Sequence, residues 1–584
     1  MRLQTSDDFR FVRASWEVAP ANVAHNREET LEGKRWVPFA KGGEFSPYYS
    51  DVHLLVNWER EGEEIKSFVD SNGNLASRPQ NTEFYFRPGL TWPLRTTSGI
   101  SFRPLPDGGI FGHKGPAAFS PEAELPAFLA LMNSRLFGVL VSLHMGAADA
   151  AARSYEVGVI QRTPVPDLSG AEAEPLGELA LRCVDLKRGL DTADETSHAF
   201  TLPALLQVEG DTLAERVAGW RGRVSGAERE LAESQREIDD ISFRLYGVPE
   251  EDRREIEAGE VPVHTGAALE AEDLAADLVS YALGCAFGRW DVRAALDPSL
   301  PPDLADPFAP LPVCPPGALV GPDGLPARTD AIASREWLRA RPDAISDPPE
   351  GSVQTPYIPD AEYPLEVDRD GGLADDPDHA DDVVRRVREA LELVLGERAE
   401  DVERELCGAL GVKDLRSYLR NPRKLFDEHV KRYSRSRRKA PIYWLLQSPG
   451  KVYGLWIHYH RLDPDLLFKA LHRYVQPRIR LEETRLEESR SRRAAAEGRE
   501  ARGLDREIER QETLLADVRE FRDRLDRAAR LYLEPDLNDG VALNIAPLRE
   551  VVPWNEAGKR WQELLRGEHA WSSIARQLRR KGLV

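Results

Sequence analysis

Residues 36–58 read WVPFAKGGEFSPYYSDVHLLVNW, and they decide how the first part of the chain folds. Val52, Leu54, Val56 and Trp58 stand at every second position, the period of a half-buried β-strand. Upstream, Lys41-Gly42-Gly43 puts a cation beside a backbone that can approach closely and offer N–H donors, which suits a phosphate. The pattern continues outward. Phe84-Tyr85-Phe86-Arg87 and Ile100-Ser101-Phe102-Arg103 predict further strands, and Pro106-Asp107-Gly108-Gly109 predicts a turn. Leu129, Met132, Leu136 and Leu140 predict a helix over 126–145. Residues 1–168 therefore read as a mixed α/β domain.

The remainder changes character several times. Residues 169–296 read as a mainly helical spacer. Within it, apolar positions from Leu213 to Leu245 step by four and three along a heptad helix over 212–247. That seam fits a hairpin packed on its own chain or a coiled coil with a partner, and Gly222 and Gly226 weaken it locally. Residues 297–326 carry ten prolines, and residues 358–382 carry ten acids against the single Arg369. Composition predicts a solvated connection over 297–382. Residues 383–477 turn helical and basic. Eleven Lys or Arg face three acids between Val412 and Ala440, and a hairpin follows across Pro449-Gly450. Residues 478–535 predict a long helix, with Leu504, Ile508, Leu515, Val518 and Leu525 as its apolar stripe. Residues 536–584 predict a small C-terminal α/β region. The expected fold class is α+β and multidomain.

The 584 residues exceed one ordinary core, and 41% apolar content is enough to bury several. No run of about 18 apolar residues predicts a membrane span, so a cytoplasmic protein without membrane contact is expected. Cys183, Cys285, Cys314 and Cys407 stand far apart, which argues against a zinc module or a disulfide framework. The net charge of -21 argues weakly against nucleic acid, but the basic charge is concentrated locally.

Catalytic signatures are sparse. Asp347-Pro348-Pro349-Glu350 approaches the Asp/Asn-Pro-Pro-aromatic loop of adenine-N6 methylation but lacks the aromatic that stacks on a flipped base. Asp51 with Glu64-Ile65-Lys66 matches the loose pattern of a Mg²⁺ nuclease. His458 and His460 share a strand face without a third ligand, which reads as packing or phosphate contact in place of a metal site. A GxxxxGK(S/T) loop is absent from the sequence, which argues against nucleotide hydrolysis.

An ordered set of stretches resembles one family. They are LQTSDDFRFVR (3–13), WVPFAKGGEF (36–45), YFRPGLTW (85–92), GHKG (112–115) and YEVGVIQ (155–161). Further on come AFGRWD (286–291), RKAPIYW (438–444) and DLNDGV (536–541). In this order they resemble the PglX family of BREX phage-defence adenine-specific DNA methyltransferases and their type II restriction-modification relatives. Ser6 and Asp8 depart from the family's first motif, where Gly and Asn are usual. The resemblance covers the recognition half, and the methyltransferase half has no counterpart in these residues. It implies a DNA specificity part with no cofactor of its own. S-adenosylmethionine would be held by a catalytic methyltransferase subunit acting in trans, beside other phage-defence proteins. A scaffold subunit of the same complex is the alternative, and a Mg²⁺-dependent nuclease a third.

Double-stranded DNA is thus the expected partner. Lys41, Gly42 and Gly43 are candidate phosphate contacts. Tyr48, Tyr49, Trp58 and Trp92 are candidates to stack on or wedge bases, with Thr91 beside them, although over half of the aromatics are expected to pack inward. Arg87, Arg95, Arg103 and Lys114 are candidates for guanine edges or phosphates. Arg435, Arg437, Arg438 and Lys439 form a compact cationic cluster for holding the backbone. A helix face paired with the chain's own acids is the competing reading of that basic run.

Overall fold

The computed structural model describes residues 3–70, 72–145, 153–168, 170–259, 270–340 and 357–584. It is a mixed α/β structure with several small sheets and long helices. Near the N-terminus, four strands run in the order Val12–Ala14, Leu54–Asn57, Trp36–Ala40, Ile110–Phe111. The first three pair antiparallel, with Val56 opposite both Val12 and Val37, and Phe39 pairs parallel with Ile110.

The strand predicted as half-buried is covered on both faces. Val37, Phe39, Val56 and Trp58 enter one apolar cluster, while Trp36 and Leu55 enter another on the opposite side. Trp36 Nε1 also donates to Asn538 Oδ1 at 2.7 Å, so the C-terminal region closes the second face. Residues 84–87 are not a strand: Thr82–Phe84 is a short 3₁₀ turn.

A second small sheet joins Gly89–Thr91 to Arg103–Leu105 and Ala117–Ala118. It packs on a helical layer. The helix predicted over 126–145 is two, Leu125–Met132 and Arg135–Leu143, broken where Ser134 caps the second. Among the described residues no single helix is long and apolar enough to cross a membrane.

The heptad helix forms as Leu213–Tyr246. Thr212 and Glu215 make a reciprocal capping box, and Gly247 ends it in the left-handed conformation. Its seam lies against Ala173–Asp191, with Ile238 and Ile241 beside Ala180, Cys183 and Val184. The partner of the seam is therefore this chain. Gly222 is exposed in mid-helix and has open space where a Cβ would stand. Gly222→Ala is expected to raise stability by about 0.5–1 kcal/mol, because alanine loses less backbone entropy on folding. A urea midpoint unchanged or lowered in that variant would contradict this.

The largest core surrounds Ala271–Ala286, a helix buried over most of its length. Beside it lies a three-stranded sheet of Gly372–Ala374, Gly454–His458 and Tyr443–Gln447. The predicted hairpin is present, and both of its strands are fully buried.

The acidic connection behaves differently from its composition. Asp375, Asp376, Asp381 and Asp382 are all buried. Asp375 pairs with Arg416 at 2.6 Å and also with Arg420. Asp376 pairs with Arg478 at 2.6 Å, Asp381 with Arg386 at 3.0 Å, and Asp382 with Arg416 at 2.8 Å. The proline-rich part also packs inward, through Leu300, Phe308 and Leu319. The predicted long helix over 478–535 is an antiparallel pair, Gln476–Ala495 and Gly498–Ala529, reversed where Ala496 turns extended and Gly498 takes φ +61°. The C-terminal elements from Leu537 to Arg580 are all helical.

Candidate nucleic-acid interface

The Lys41-Gly42-Gly43 turn is held from below. Arg103, buried beneath it, donates to Gly42 O at 2.6 Å and Glu44 O at 3.4 Å. Lys187 donates to Ser46 Oγ at 2.5 Å and to Pro47 O at 2.7 Å. Arg103 thus positions a loop and does not face solvent as the sequence reading had it. Gly42 has φ +85°, and a Cβ there would stand 2.4 Å from Lys114 O. Only glycine lets the two backbones meet, and the meeting places exposed Lys114 beside Lys41. Lys41 itself pairs with Asp8 and is mostly covered. Burial lowers its pKa, with Lys114 and Arg438 adding to this against the pull of Asp8.

A hairpin from the far end of the sequence arrives at the same place. Ser434–Arg435 pairs with Arg438–Lys439 across a two-residue turn. Both turn residues, Ser436 and Arg437, have positive φ, at 50° and 67°. This left-handed turn matches the twist of the strands, but non-glycine residues there are strained by about 1 kcal/mol each. His53 hydrogen-bonds Ser436 Oγ at 3.2 Å, and Trp16 Nε1 donates to Ala440 O at 3.0 Å, which fix the hairpin on the N-terminal region. Arg437 and Lys439 stay exposed. Arg95 is exposed next to Leu94, whose N–H donates to Lys114 O at 2.9 Å. Arg87 is exposed as well, over the Phe84 ring at 5.7 Å.

Several expected contacts belong to the core. Tyr48, Trp58, Thr91 and Trp92 are all buried. Tyr48 donates to Gln235 Oε1 at 2.5 Å, Thr91 to Pro116 O at 2.8 Å, and Trp92 Nε1 to Tyr155 O at 2.9 Å. Trp58 packs edge-on to Tyr85. None of the four is presented to a base: Thr91 ends a strand, and Tyr48, Trp58 and Trp92 lie outside the strands with their rings packed into the apolar clusters. Tyr49 is half-buried, and burial with Asp51 and Asp191 nearby raises its phenol well above the ordinary value.

Much of the basic run is also committed internally. Arg432 pairs with Glu195 at 3.0 Å and Asp277 at 2.5 Å, and Arg435 with Asp194 at 2.7 Å. Arg438 pairs with buried Glu17, Nη2 to Oε1 at 3.2 Å. Arg435 and Arg438 are therefore braces, while Arg437 and Lys439 project.

The nuclease pattern is not assembled. Asp51 is bonded by His198 Nδ1 at 2.9 Å, whereas Glu64 is taken by Arg10 at 2.7 Å, Arg35 at 3.1 Å and Asn57 at 2.7 Å. Lys66 lies over the Trp58 ring. Asp347-Pro348-Pro349-Glu350 lies outside the described residues.

Beneath the hairpin, burial together with Asp194 and Asp51 pushes the Asp191 carboxyl up to about 8. An unfolded aspartate titrates near ~4, so stability falls as pH rises from there, and the loss is complete above the folded value. Asp191→Asn removes that loss. Its gain in melting temperature over the native chain is expected to be larger at pH 8.5 than at pH 5, and an equal gain at both would contradict the assignment.

No family model matches the chain. Over 547 residues, 89% of this chain, it is 24% identical to the adenine-specific methyltransferase BrxX of Escherichia coli O9:H4 (strain HS). Over 567 residues, 93% of this chain, it is 24% identical to the adenine-specific methyltransferase PglX of Lacticaseibacillus casei (strain Zhang). The chain is thus related to PglX-type adenine-specific methyltransferases along most of its length. It spans 40% and 41% of those two curated relatives.

Proposed function

We propose that this chain is the DNA sequence-recognition part of an adenine-N6 DNA methyltransferase in a BREX-like phage-defence system, acting in the cytoplasm. The observation that carries the reading is that the hairpin bearing exposed Arg437 and Lys439 docks on the N-terminal region at His53 and Trp16, with its Arg438 acting on Lys41 beside exposed Lys114, although the segments lie more than 300 residues apart in sequence. Arg95 extends the same basic face, and Arg87 adds a further exposed cation of the N-terminal domain. Cations grouped on folded supports suit the phosphates of duplex DNA, and phosphate contacts set register for base reading by neighbouring groups.

Methyl transfer, S-adenosylmethionine binding and base flipping are assigned to a catalytic methyltransferase part outside these 584 residues, with other defence proteins in the same assembly. The long helical hairpins are the surfaces on which such a part would dock. The test has two arms. The purified chain should bind duplex DNA in a salt-dependent way, and it should methylate that DNA only when the catalytic part is added. Methylation by this chain alone would refute the assignment. In cells, an unchanged methylation map together with a broken defence complex, after substitution of Lys114 and Arg437, would favour the scaffold role.

A further inference from the structure

A second basic site lies inside the molecule. A cavity of about 110 Å³ opens between the segments 15–20, 195–198, 288–290, 313–318, 326–328 and 458–461. A single water needs roughly 10–15 Å³ on this measure, so the space holds more than one solvent molecule. Its apolar wall includes Trp16, Val18, Pro20, Val313 and Pro315. Its polar wall includes Arg289, Arg328, Arg461, His458 and His460, with Glu195 and His198 beside them.

The cations on that wall have little to neutralise them. Among the described residues, Arg289, Arg328 and Arg461 have no carboxylate within 4.0 Å. The Arg289 guanidinium carbon stands 4.5 Å from the Trp290 ring centre and 5.7 Å from that of Tyr433, and its Nε has no partner. Arg461 donates from Nη2 to Ala327 O, and its Nε also has none. Arg328 is exposed. His458 and His460 bond to each other at 3.3 Å and the Trp16 backbone lies against the His460 ring, while His458 Nδ1 and His460 Nε2 are buried without a hydrogen bond of good geometry. Burial together with Arg289 and Arg328 lowers the His460 pKa to about 3, so the ring is neutral and can donate one N–H. The carboxylate on the wall, Glu195, is already taken by Arg432 at 3.0 Å, Ser280 at 2.5 Å and Trp290 at 3.3 Å. His198 is taken by Asp51.

Unpaired donors and guanidiniums around a sheltered space are costly unless an acceptor enters. Planar guanidinium donors match a phosphate oxygen set, and the apolar wall suits an organic body attached to it. We propose that this cavity binds the phosphate group of a small molecule, at a site separate from the duplex-binding face. Arg289 and Arg461 would hold the oxyanion from within, Arg328 from the rim, and His460 Nε2 would supply a neutral donor.

Calorimetric titration of the full chain with inorganic phosphate and with adenosine monophosphate tests this. Saturable binding of at least one is expected. Tighter binding of the monophosphate by tenfold or more would identify an organic phosphate, and equal binding would identify free phosphate. Arg328→Gln, which alters an exposed side chain and leaves the core intact, should weaken binding at least tenfold, as should Arg289→Gln. Competition for the site by a 5′-phosphorylated duplex would overturn the small-molecule assignment in favour of a DNA end. Absence of saturable binding by either small ligand, or binding untouched by Arg328→Gln, would overturn the proposal.

Discussion

Replacing Lys114, Arg437 and Lys439 together by Gln is expected to weaken duplex DNA binding about a hundredfold near 0.15 M salt, with little change in folding. Each phosphate neutralised by a cation releases condensed counterions, and the dependence of log K on log salt has a slope of about -0.9 per contact. Loss of three contacts should therefore flatten that slope by about 3. All three side chains are exposed, and none has an ion pair among the described residues. Arg437→Gly separates the electrostatic effect from the structural one. It relieves a left-handed non-glycine conformation, so it should raise the melting temperature while weakening DNA binding. Fluorescence anisotropy across a salt series reads the first effect, and thermal unfolding the second. Unchanged affinity in the triple variant would remove this face from the DNA-binding surface.

Glu17→Ala is expected to lose about 3–5 kcal/mol of stability, the usual scale for stranding a buried charge. Glu17 is buried and joins its own segment to two distant ones. It pairs with Arg438, accepts from Ala14 N at 2.8 Å, and accepts from Val541 N at 3.2 Å. Arg13, equally buried, donates next to it to Asn538 O at 2.8 Å and Asp539 O at 3.0 Å. Burial pushes the Arg13 guanidinium down to about 9, with Arg438 adding to this and Glu17 opposing it. Without Glu17, Arg13 and Arg438 repel each other without the carboxylate that opposes it, and two backbone donors lose their acceptor. Glu17→Gln keeps an acceptor oxygen and should lose less. Denaturant unfolding of the three proteins orders them, and equal stability of the Ala and native forms would show that the junction does not hold these ends together.

Glu17 and Arg13 also show where sequence reading stops. Both lie near stretches that resemble the PglX family, and Arg438 opens another, yet nothing in local pattern says that residues 17, 438 and 541 meet. A buried charge at such a junction is selected by partners far away in sequence.

The sequence by itself determined the elements whose signals are local. The heptad step of Leu213–Tyr246, the Tyr443–His458 hairpin and the Leu54–Asn57 strand all depend on periodicity and turn chemistry within a few residues. The ordered motifs likewise carried the relation to PglX-type methyltransferases. Tertiary structure decided which charges are free. The acidic stretch 358–382 looked solvated and the basic run 416–439 looked available, but Asp375 and Asp382 neutralise Arg416, and Asp194 and Glu17 neutralise Arg435 and Arg438. It also decided which aromatics are core, because Tyr48, Trp58 and Trp92 fill apolar clusters assembled from several distant segments. Composition counts charges and rings, whereas a binding surface consists of those that folding leaves without internal partners, and that remainder is fixed by contacts between residues hundreds of positions apart.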